Sequence, residues 1–342
     1  MVSVIIAAHN EDKHIIDRIC DLLNQDYPAP QMEIILVSDG SDDSTNFLIH
    51  DFKNRNKDID IKLKFLSYNR RRGKAYALNL GVKNAKGEFL VFTDARQRFD
   101  TQVIRELLAN FSDPEVGCVS GELILETELG ATEPDPVRLY WNYEKWIRKK
   151  ESQIDSVVGV TGAIYAIRRE LYVQIPLGTI LDDVFIPMQI VMSDLRVIFD
   201  PSALCYDSLS PDPQIEFGRK VRTLMGNFQI LRLLPELRLL QKNRLLFQCI
   251  SHKYLRLAMP YLLLLIFISN IFLLHGIYLL TAACQIIFYL FAIFGYLLRN
   301  ESFLYFSFPY VFVKLNYAAV LGLFNFLRNN KEAWVRLTHH DR

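Results

Sequence analysis

The sequence predicts an α/β domain with a doubly wound, mainly parallel sheet, followed by apolar C-terminal helices that enter a membrane. Two observations carry this prediction. Over residues 1–100, short apolar runs alternate with segments of helical periodicity, a pattern typical of parallel sheets covered on both faces. Further along, residues 257–298 are almost free of charge, which is about two membrane spans at ~20 residues each.

Four runs of β-branched and other apolar residues predict the strands of the first domain: residues 2–9, 33–40, 61–67 and 88–94. The third run alternates in polarity and therefore predicts a half-buried or edge strand. Helical spacing of apolar residues predicts helices over 15–23 and 74–85, and a further helix that Ser41 or Asp42 caps. Strands and helices thus alternate along the whole segment.

Two apolar stretches near the C-terminus lead to different predictions. Residues 257–298, broken only by LHG near His275, predict a hairpin of two spans. Residues 303–327 contain Lys314, and two alternatives stay open for them: a third span, or a re-entrant or interfacial helix. The basic run 328–336 favours the second alternative through the positive-inside rule. The N-terminus turns polar after about eight residues, which predicts no signal peptide and a cytoplasmic first domain.

Composition excludes other kinds of site. The five cysteines are scattered and include no C-x-x-C pair, which argues against a disulfide framework and against a zinc site. Lysine and arginine total 39 and aspartate and glutamate 38, so that the formal net charge is +1. This balance predicts no nucleic-acid partner.

Polar side chains follow three of the predicted strands. His9, Asn10 and Glu11 come after the first strand, Asp39 ends the second, and Asp94 ends the fourth. In open parallel sheets, ligands bind beyond the carboxyl ends of the strands. Each of these residues taken singly is also typical of a turn or a helix cap, but three clusters at one edge favour a shared binding site.

Six motifs together carry a family resemblance. VSVIIAAHNE, LVSDGSDDST, RRRGKAYALNLG and VFTDAR occur in the order and approximate spacing of the inverting family 2 glycosyltransferases. ILDDVFIPMQI (180–190) resembles that family's Glu-Asp motif, and GRKVRTLMGNFQ (218–229) resembles its Q-x-x-R-W segment. With the apolar C-terminal helices, the chain resembles the membrane-bound branch that includes hyaluronan, cellulose and poly-N-acetylglucosamine synthases. The resemblance implies an A-type glycosyltransferase fold.

The resemblance also implies a donor site. Ala8, Asn10 and Glu11 match the first loop around the nucleoside, and Asp39 matches the acid that hydrogen-bonds the uracil or its ribose. A nucleoside-diphosphate sugar, with UDP favoured, is therefore the expected donor.

The diphosphate and its metal ion are expected at two further motifs. Gly73 and Lys74 stand at a helix start that suits a diphosphate, although RRRGK is alternatively a solvated basic turn. Asp94 matches the first acid of the family's Asp-x-Asp motif, whose last acid is the usual metal ligand; Asp94 is still the expected ligand of Mg²⁺ or Mn²⁺, because Mg²⁺ needs only one or two protein carboxylates. Arg96 stands where a second acid is expected, and it either pairs with phosphate or faces solvent.

The acceptor side depends on the last two motifs. Direct displacement with inversion needs a carboxylate that takes the proton of the acceptor hydroxyl; the match assigns this role to Asp183, with Asp182 in support. Without the resemblance, a cap of the following helix is the preferred interpretation of two adjacent acids here. Arg219 replaces the motif's glutamine and Arg222 retains its arginine; both are expected to bind the donor, Arg222 through its pyrophosphate. Thr223 stands in place of the motif's tryptophan.

The resulting hypothesis is a multi-pass protein of the cell (inner) membrane that transfers a sugar to a glycan or lipid-linked acceptor on the cytoplasmic face. The expected segments are a catalytic domain (1–210), interfacial helices (211–256), a membrane region (257–328) and a basic cytosolic tail (329–342). An oligomer or polysaccharide-export partners are compatible with this hypothesis. The alternative is a non-catalytic nucleotide-sugar or glycan-binding subunit of a membrane assembly, which Arg96 and Thr223 favour.

Overall fold

The computed structural model of the chain describes residues 1–56, 61–126, 136–208, 213–273, 275–298 and 304–328. The chain divides into two compact units. Among the described residues, the first unit holds 1–126, 145–208 and 239–245, and the second holds 136–144, 213–238 and 246–328 with the gaps just given. The predicted basic tail, 329–342, lies outside the described residues.

The first unit is built on one sheet of eight strands. In chain order these are β1 (Val2–Ala8), β2 (Met32–Asp39), β3 (Lys62–Tyr68), β4 (Phe89–Thr93), β5 (Arg98–Phe99), β6 (Val116–Glu126), β7 (Tyr165–Arg168) and β8 (Arg196–Ser208). The spatial order is β3-β2-β1-β4-β7-β6-β8-β5. Strands β3, β2, β1 and β4 run parallel to one another, as do β6 and β8, whereas β7 and β5 pair antiparallel with their neighbours. The predicted α/β class with a mainly parallel sheet is confirmed.

Helices follow the strands of the first unit, and the first three of them are those that the sequence pattern predicts. They are α1 (Ile15–Leu23), α2 (Thr45–Arg55), α3 (Lys74–Lys83), α4 (Val103–Ala109), α5 (Pro136–Ile154), whose first part belongs to the second unit, and α6 (Asp182–Met192). Neither Ser41 nor Asp42 caps α2, and that prediction was wrong. The helix begins at Thr45, whose backbone N–H donates to Asp43 Oδ1 at 3.0 Å, and the side chains of Ser41 and Asp42 accept hydrogen bonds from Asn10 instead.

The core of the first unit explains why its strands are apolar throughout. Every residue of β2 is buried, and so is every residue of β1 except Ala7, which is half-buried. Side chains of α1, such as Ile15, Ile19 and Leu22, pack against the same cluster. Burial of apolar surface, at about 25 cal/mol per Å², thus fixes the central strands, and with them the edge at which their carboxyl ends meet.

The second unit is helical in its described part. It contains α7 (Pro213–Leu233), α8 (Leu246–Gln248), α9 (Leu255–Phe272), α10 (Ile277–Leu297) and α11 (Leu304–Leu327), with a π-helical turn, Cys249–Tyr254, before α9. Three stretches are helical, long and apolar enough to cross a membrane: 246–272, 277–297 and 305–327. The two predicted spans are among them, and the third block is one helix of sufficient length and hydropathy. Whether this helix spans the membrane or is re-entrant or interfacial depends on the helices against which it packs.

Candidate active site

The loop after β1 is tied to the segment after β2 by hydrogen bonds that involve side chains and backbone. Asn10 adopts a left-handed backbone conformation, with φ of 58°. Its Nδ2 donates to Asp42 Oδ1 at 2.6 Å, and its Oδ1 accepts from the Asp42 backbone N–H at 3.0 Å. The Glu11 backbone N–H donates to Thr45 Oγ1 at 2.9 Å, while Ala8 is buried at the end of β1. The first-loop residues therefore lie together at the predicted edge.

Asp39 is the anchor of the segment that precedes α3. Its side chain is buried, with the residue 3% exposed, and accepts from Tyr68 OH at 2.8 Å, from the Arg72 N–H at 2.6 Å and from the Gly73 N–H at 2.8 Å. Burial and this hydrogen bond raise the pKa of Tyr68 above its ordinary value, so that the phenol remains a donor. The contact of Asp39 with the nucleoside stays a prediction, but the structure shows that Asp39 also positions residues 68–73, which the sequence did not reveal.

Two glycines allow this segment its path. Gly40 has a φ of +62°, and a Cβ there would stand 2.5 Å from the Arg71 backbone nitrogen. Gly73, at the start of α3, has a φ of 92°. Both angles lie in the region that side chains disfavour. The backbone of 70–73 therefore lies directly against the end of β2 and leads into the N-terminus of α3.

Lys74 brings the predicted acids together. Its Nζ lies 2.9 Å from Asp94 Oδ1 and 3.5 Å from Asp182 Oδ2. Burial alone would lower the pKa of Lys74, but the charges of Asp182 and Asp94 outweigh it and raise the pKa above its ordinary value. Lys74 thus stays protonated as a fixed cation between the end of β4 and the start of α6.

The two acids of α6 differ in their surroundings. Asp182 is 4% exposed and is the one that faces Lys74, whereas Asp183 is half-buried. The Asp183 carbonyl oxygen accepts from the Val160 N–H at 2.9 Å, and a Cβ at Gly162 would lie 3.2 Å from Asp183 Oδ2. The absence of a side chain at residue 162 therefore leaves room beside the Asp183 carboxylate.

Arg96 has a partner that neither of its two predicted roles included. Its Nη2 lies 3.3 Å from Asp207 Oδ2 on β8, and Gln97 Nε2 donates to the same oxygen at 3.0 Å. The arginine in the place of an acid is thus neutralised by an acid from another strand. Sequence reasoning missed Asp207, because its position at the end of β8 lies 111 residues beyond Arg96.

A buried ion pair behind Asp94 was also missed. Arg18 of α1 is 1% exposed; it pairs with Asp21 and donates to Thr93 Oγ1 at 2.6 Å. Its guanidinium carbon lies 3.9 Å from the ring centroid of Phe99, and Asp21 Oδ2 accepts from the Phe99 N–H at 3.0 Å. Burial lowers the pKa of Arg18 and raises that of Asp21. Together the pair holds both ends of the segment that carries Asp94.

The comparison with protein families decides the identity. Residues 3–175, just over half of the chain, match the family model described as "Glycosyl transferase family 2". The chain belongs to glycosyltransferase family 2.

Relatives of this family 2 glycosyltransferase include poly-β-1,6-N-acetyl-D-glucosamine synthases. A poly-β-1,6-N-acetyl-D-glucosamine synthase of Staphylococcus epidermidis is 25% identical over 234 residues, which are 67% of this chain and 55% of that protein. The synthase of the same name from Staphylococcus aureus (strain COL) is 24% identical with the same coverage. The chain thus spans about half the length of the curated relatives it matches. The predicted resemblance to this branch is confirmed.

A solved structure shares the fold. A mannosyltransferase from Pyrobaculum calidifontis, in complex with GDP-Man and Mn²⁺, has a TM-score of 0.70 at 21% identity, and the match covers 96% of this chain and 88% of the mannosyltransferase. The predicted A-type glycosyltransferase fold followed by helices long and apolar enough for a membrane is therefore confirmed.

Two predicted donor contacts of the transferase lie in the other unit. Arg219 and Arg222 are both on α7, where Arg219 Nη1 donates to Glu216 Oε1 at 2.6 Å and Arg222 is half-buried. Thr223, in the place of the motif's tryptophan, is exposed and donates to the Arg219 carbonyl oxygen at 3.0 Å. Their contact with pyrophosphate stays a prediction.

The carboxylate oxygens at this site of the transferase fit a divalent cation of the kind predicted. No group of three or more His, Cys, Asp or Glu side chains that would hold a metal ion occurs in the described ranges, but Mg²⁺ takes one or two carboxylates and otherwise keeps waters or substrate phosphates. The Asp94 side chain is 39% exposed, and its carboxylate already attracts a cation, the Lys74 ammonium. Asp94 is thus suited to a metal ion that a diphosphate also binds.

Proposed function

We propose that the chain transfers a sugar, in the first place an N-acetylhexosamine, from a UDP-sugar to a glycan or lipid-linked acceptor at the cytoplasmic face of the membrane, with inversion at the anomeric carbon. Family membership and the polysaccharide synthases among its relatives support sugar transfer. The observation that carries the proposal is that carboxylate oxygens of Asp94 and Asp182 both lie within 3.5 Å of the Lys74 ammonium. Asp183 is the next residue of α6.

The donor diphosphate binds at the N-terminus of α3. Backbone N–H groups at a helix start and its dipole favour an anion, and Lys74 adds a full positive charge there. Departure of the nucleoside diphosphate builds negative charge on its phosphates, so a fixed cation lowers the barrier by electrostatic stabilisation. Asp94 would hold Mg²⁺ or Mn²⁺, which supplies further charge neutralisation for the leaving group when bound.

Asp183 is the general base. In a direct displacement, the acceptor hydroxyl oxygen attacks the anomeric carbon, the bond to the diphosphate oxygen breaks, and the hydroxyl proton passes to the Asp183 carboxylate. Its half-buried position supports this assignment, and Gly162, which has no side chain, leaves room beside Asp183 Oδ2. Asp182 is buried against Lys74 and holds the ammonium in place.

The proposal is tested by turnover of the full chain purified in detergent. UDP-GlcNAc, UDP-GalNAc, UDP-Glc and GDP-Man are supplied in turn with Mg²⁺ or Mn²⁺ and a β-1,6-linked glucosamine oligosaccharide, and released nucleoside diphosphate is measured. We expect release with a UDP-N-acetylhexosamine and inverted configuration in the product by NMR. Asp183→Asn is the control for a contaminating transferase. Binding of UDP-GlcNAc without turnover under every condition would favour the non-catalytic subunit.

A further inference from the structure

The second unit contains a cavity of about 540 Å³ between α7, α10 and α11. This volume lies within the ~300–1,000 Å³ typical of small-molecule sites. Its lining positions on α10 and α11 recur at a spacing of three and four residues, so that each helix contributes a single face. The side chains that dominate the walls are Phe217, Tyr289, Tyr296, Tyr310, Lys314 and Tyr317.

Lys314 gives the cavity its charge. It is the single charged residue in the sequences of α10 and α11. Its Nζ lies 5.4 Å from the ring centroid of Phe217 and 5.8 Å from that of Tyr310, and no carboxylate pairs with it in the described part of the chain. An ammonium on an otherwise uncharged apolar wall is complementary to an anion, and a cation in such a helix is costly unless it serves a ligand or a partner.

The packing of α7 fixes the level at which this cation lies. Phe217 stacks on Tyr317 with ring centroids 6.2 Å apart, and Phe228 stacks on Phe326 at 6.1 Å, so α7 runs alongside α11. Helix α7 carries five charged residues, among them the Glu216–Arg219 pair one turn from Phe217. So many charges disfavour placement of α7 in the hydrocarbon of a membrane. Because Phe217 of α7 packs on α11, this placement would set the Lys314 ammonium near the phosphates of the lipid headgroups.

We propose that this cavity binds one anionic phospholipid, with its phosphate on the Lys314 ammonium and its chains along the tyrosine faces. The other lining residues, Ala292, Ile293 and Val313, are apolar, which suits acyl chains. A sugar would need several fixed polar partners for its hydroxyl groups, and these walls offer phenols and one ammonium. Its lining residues all belong to the second unit, whereas Lys74 and Asp94 belong to the first, so the proposed lipid site does not depend on the proposed transfer reaction.

Lipid retention by the full chain tests the site. The protein in mild detergent is incubated with phosphatidic acid or with phosphatidylcholine of the same chains, and bound lipid is counted by native mass spectrometry. We expect one phosphatidic acid per chain and far less phosphatidylcholine. Lys314→Gln should lower occupancy about fivefold, the contribution of one basic residue near an anionic lipid, whereas Lys314→Arg should restore it. Ala292→Phe, which fills the cavity without a change in charge, should also lower it.

A matched control separates this site from general attraction of lipid to basic residues. Arg328 is exposed at the end of α11 and lies over Phe324, outside the cavity, so Arg328→Gln should leave occupancy unchanged. Wild-type retention by Lys314→Gln, or an equal loss in Arg328→Gln, would show an unspecific lipid layer and overturn the proposal. Displacement of the lipid by millimolar inorganic phosphate would instead identify a site for an aqueous anion, and would equally overturn it.

Discussion

Replacing Lys74 with methionine should change the affinities for metal ion and nucleotide in opposite directions. The methionine keeps an apolar stem but removes the ammonium that lies 2.9 Å from Asp94 Oδ1. A divalent cation that binds Asp94 has to compete with this ammonium, so its loss favours Mn²⁺ binding in the absence of nucleotide. UDP in the absence of metal loses a cation for its diphosphate, so its binding weakens.

The exposure of the pair determines the size of each effect. The Lys74 and Asp94 side chains are 28% and 39% exposed, and solvent-exposed ion pairs contribute about 0.2–1 kcal/mol. The Mn²⁺ affinity of Lys74→Met should therefore rise by at most about fivefold. A hydrogen bond to a charged group contributes about 1.5–3 kcal/mol, so the UDP affinity should fall by roughly 10- to 100-fold.

Titration calorimetry on the full chain in detergent measures both constants, with Mn²⁺ alone and with UDP in EDTA. Lys83→Met is the matched control, because Lys83 is exposed at the other end of α3; it should bind both ligands as the wild type does. An unchanged UDP affinity in Lys74→Met would remove Lys74 from the diphosphate site. A lower Mn²⁺ affinity would show that the ammonium and the metal ion do not compete for Asp94.

Three further outcomes follow from the same structure. Asp94→Asn should weaken Mn²⁺-dependent UDP binding, whereas Asp183→Asn should keep UDP affinity within a few-fold yet lower transfer by roughly 10² to 10⁴; equal loss of UDP affinity in both, by calorimetry, would contradict these roles. Burial and the charge of Arg71 lower the pKa of His9. The stability that the neutral imidazole contributes to the folded protein is therefore complete above the unfolded-state pKa of ~6.5 and is lost as the pH falls below it. Between pH 7.5 and 5.5 the melting temperature of the wild type should therefore fall more than that of His9→Gln. Because α11 packs along the charged helix α7, we expect that α11 does not cross the membrane. In a cysteine-free background, a cysteine in place of Arg342 should then resist an impermeant reagent in intact cells, whereas a cysteine in place of His275 should be labelled. Labelling of both would show that α11 crosses the membrane.

The central strands were predictable because burial acts on them from both sides. In β1 and β2 nearly every position is buried, so the sequence itself is apolar throughout and shows the strand directly. No comparable sequence pattern indicates that β7 inserts between β4 and β6. It depends on pairings such as Phe92 with Tyr165, between residues far apart in the sequence, and a local pattern carries no information about them.

The site was predictable where a residue acts at the end of its own strand or helix. Asp94 directly follows β4 and Asp182 begins α6, and both contact Lys74 at the start of α3. The partner of Arg96 was not predictable, because Asp207 is on a strand distant in the sequence. Arg18 did leave one signal: it sits among the buried residues of α1, on the apolar face, where an arginine requires an anion.

The three hydrogen bonds that Asp39 accepts from residues 68–73 mean that the wall of the proposed diphosphate site is preorganised before a donor arrives. A donor then incurs little entropy loss for ordering this loop, and an inhibitor that carries a rigid diphosphate mimic would meet a wall already in its final shape. The same arrangement affects how substitutions are interpreted. An Asp39→Ala variant would release the loop as well as any nucleoside contact, so its loss of UDP affinity would not by itself identify Asp39 as the residue that contacts the uracil.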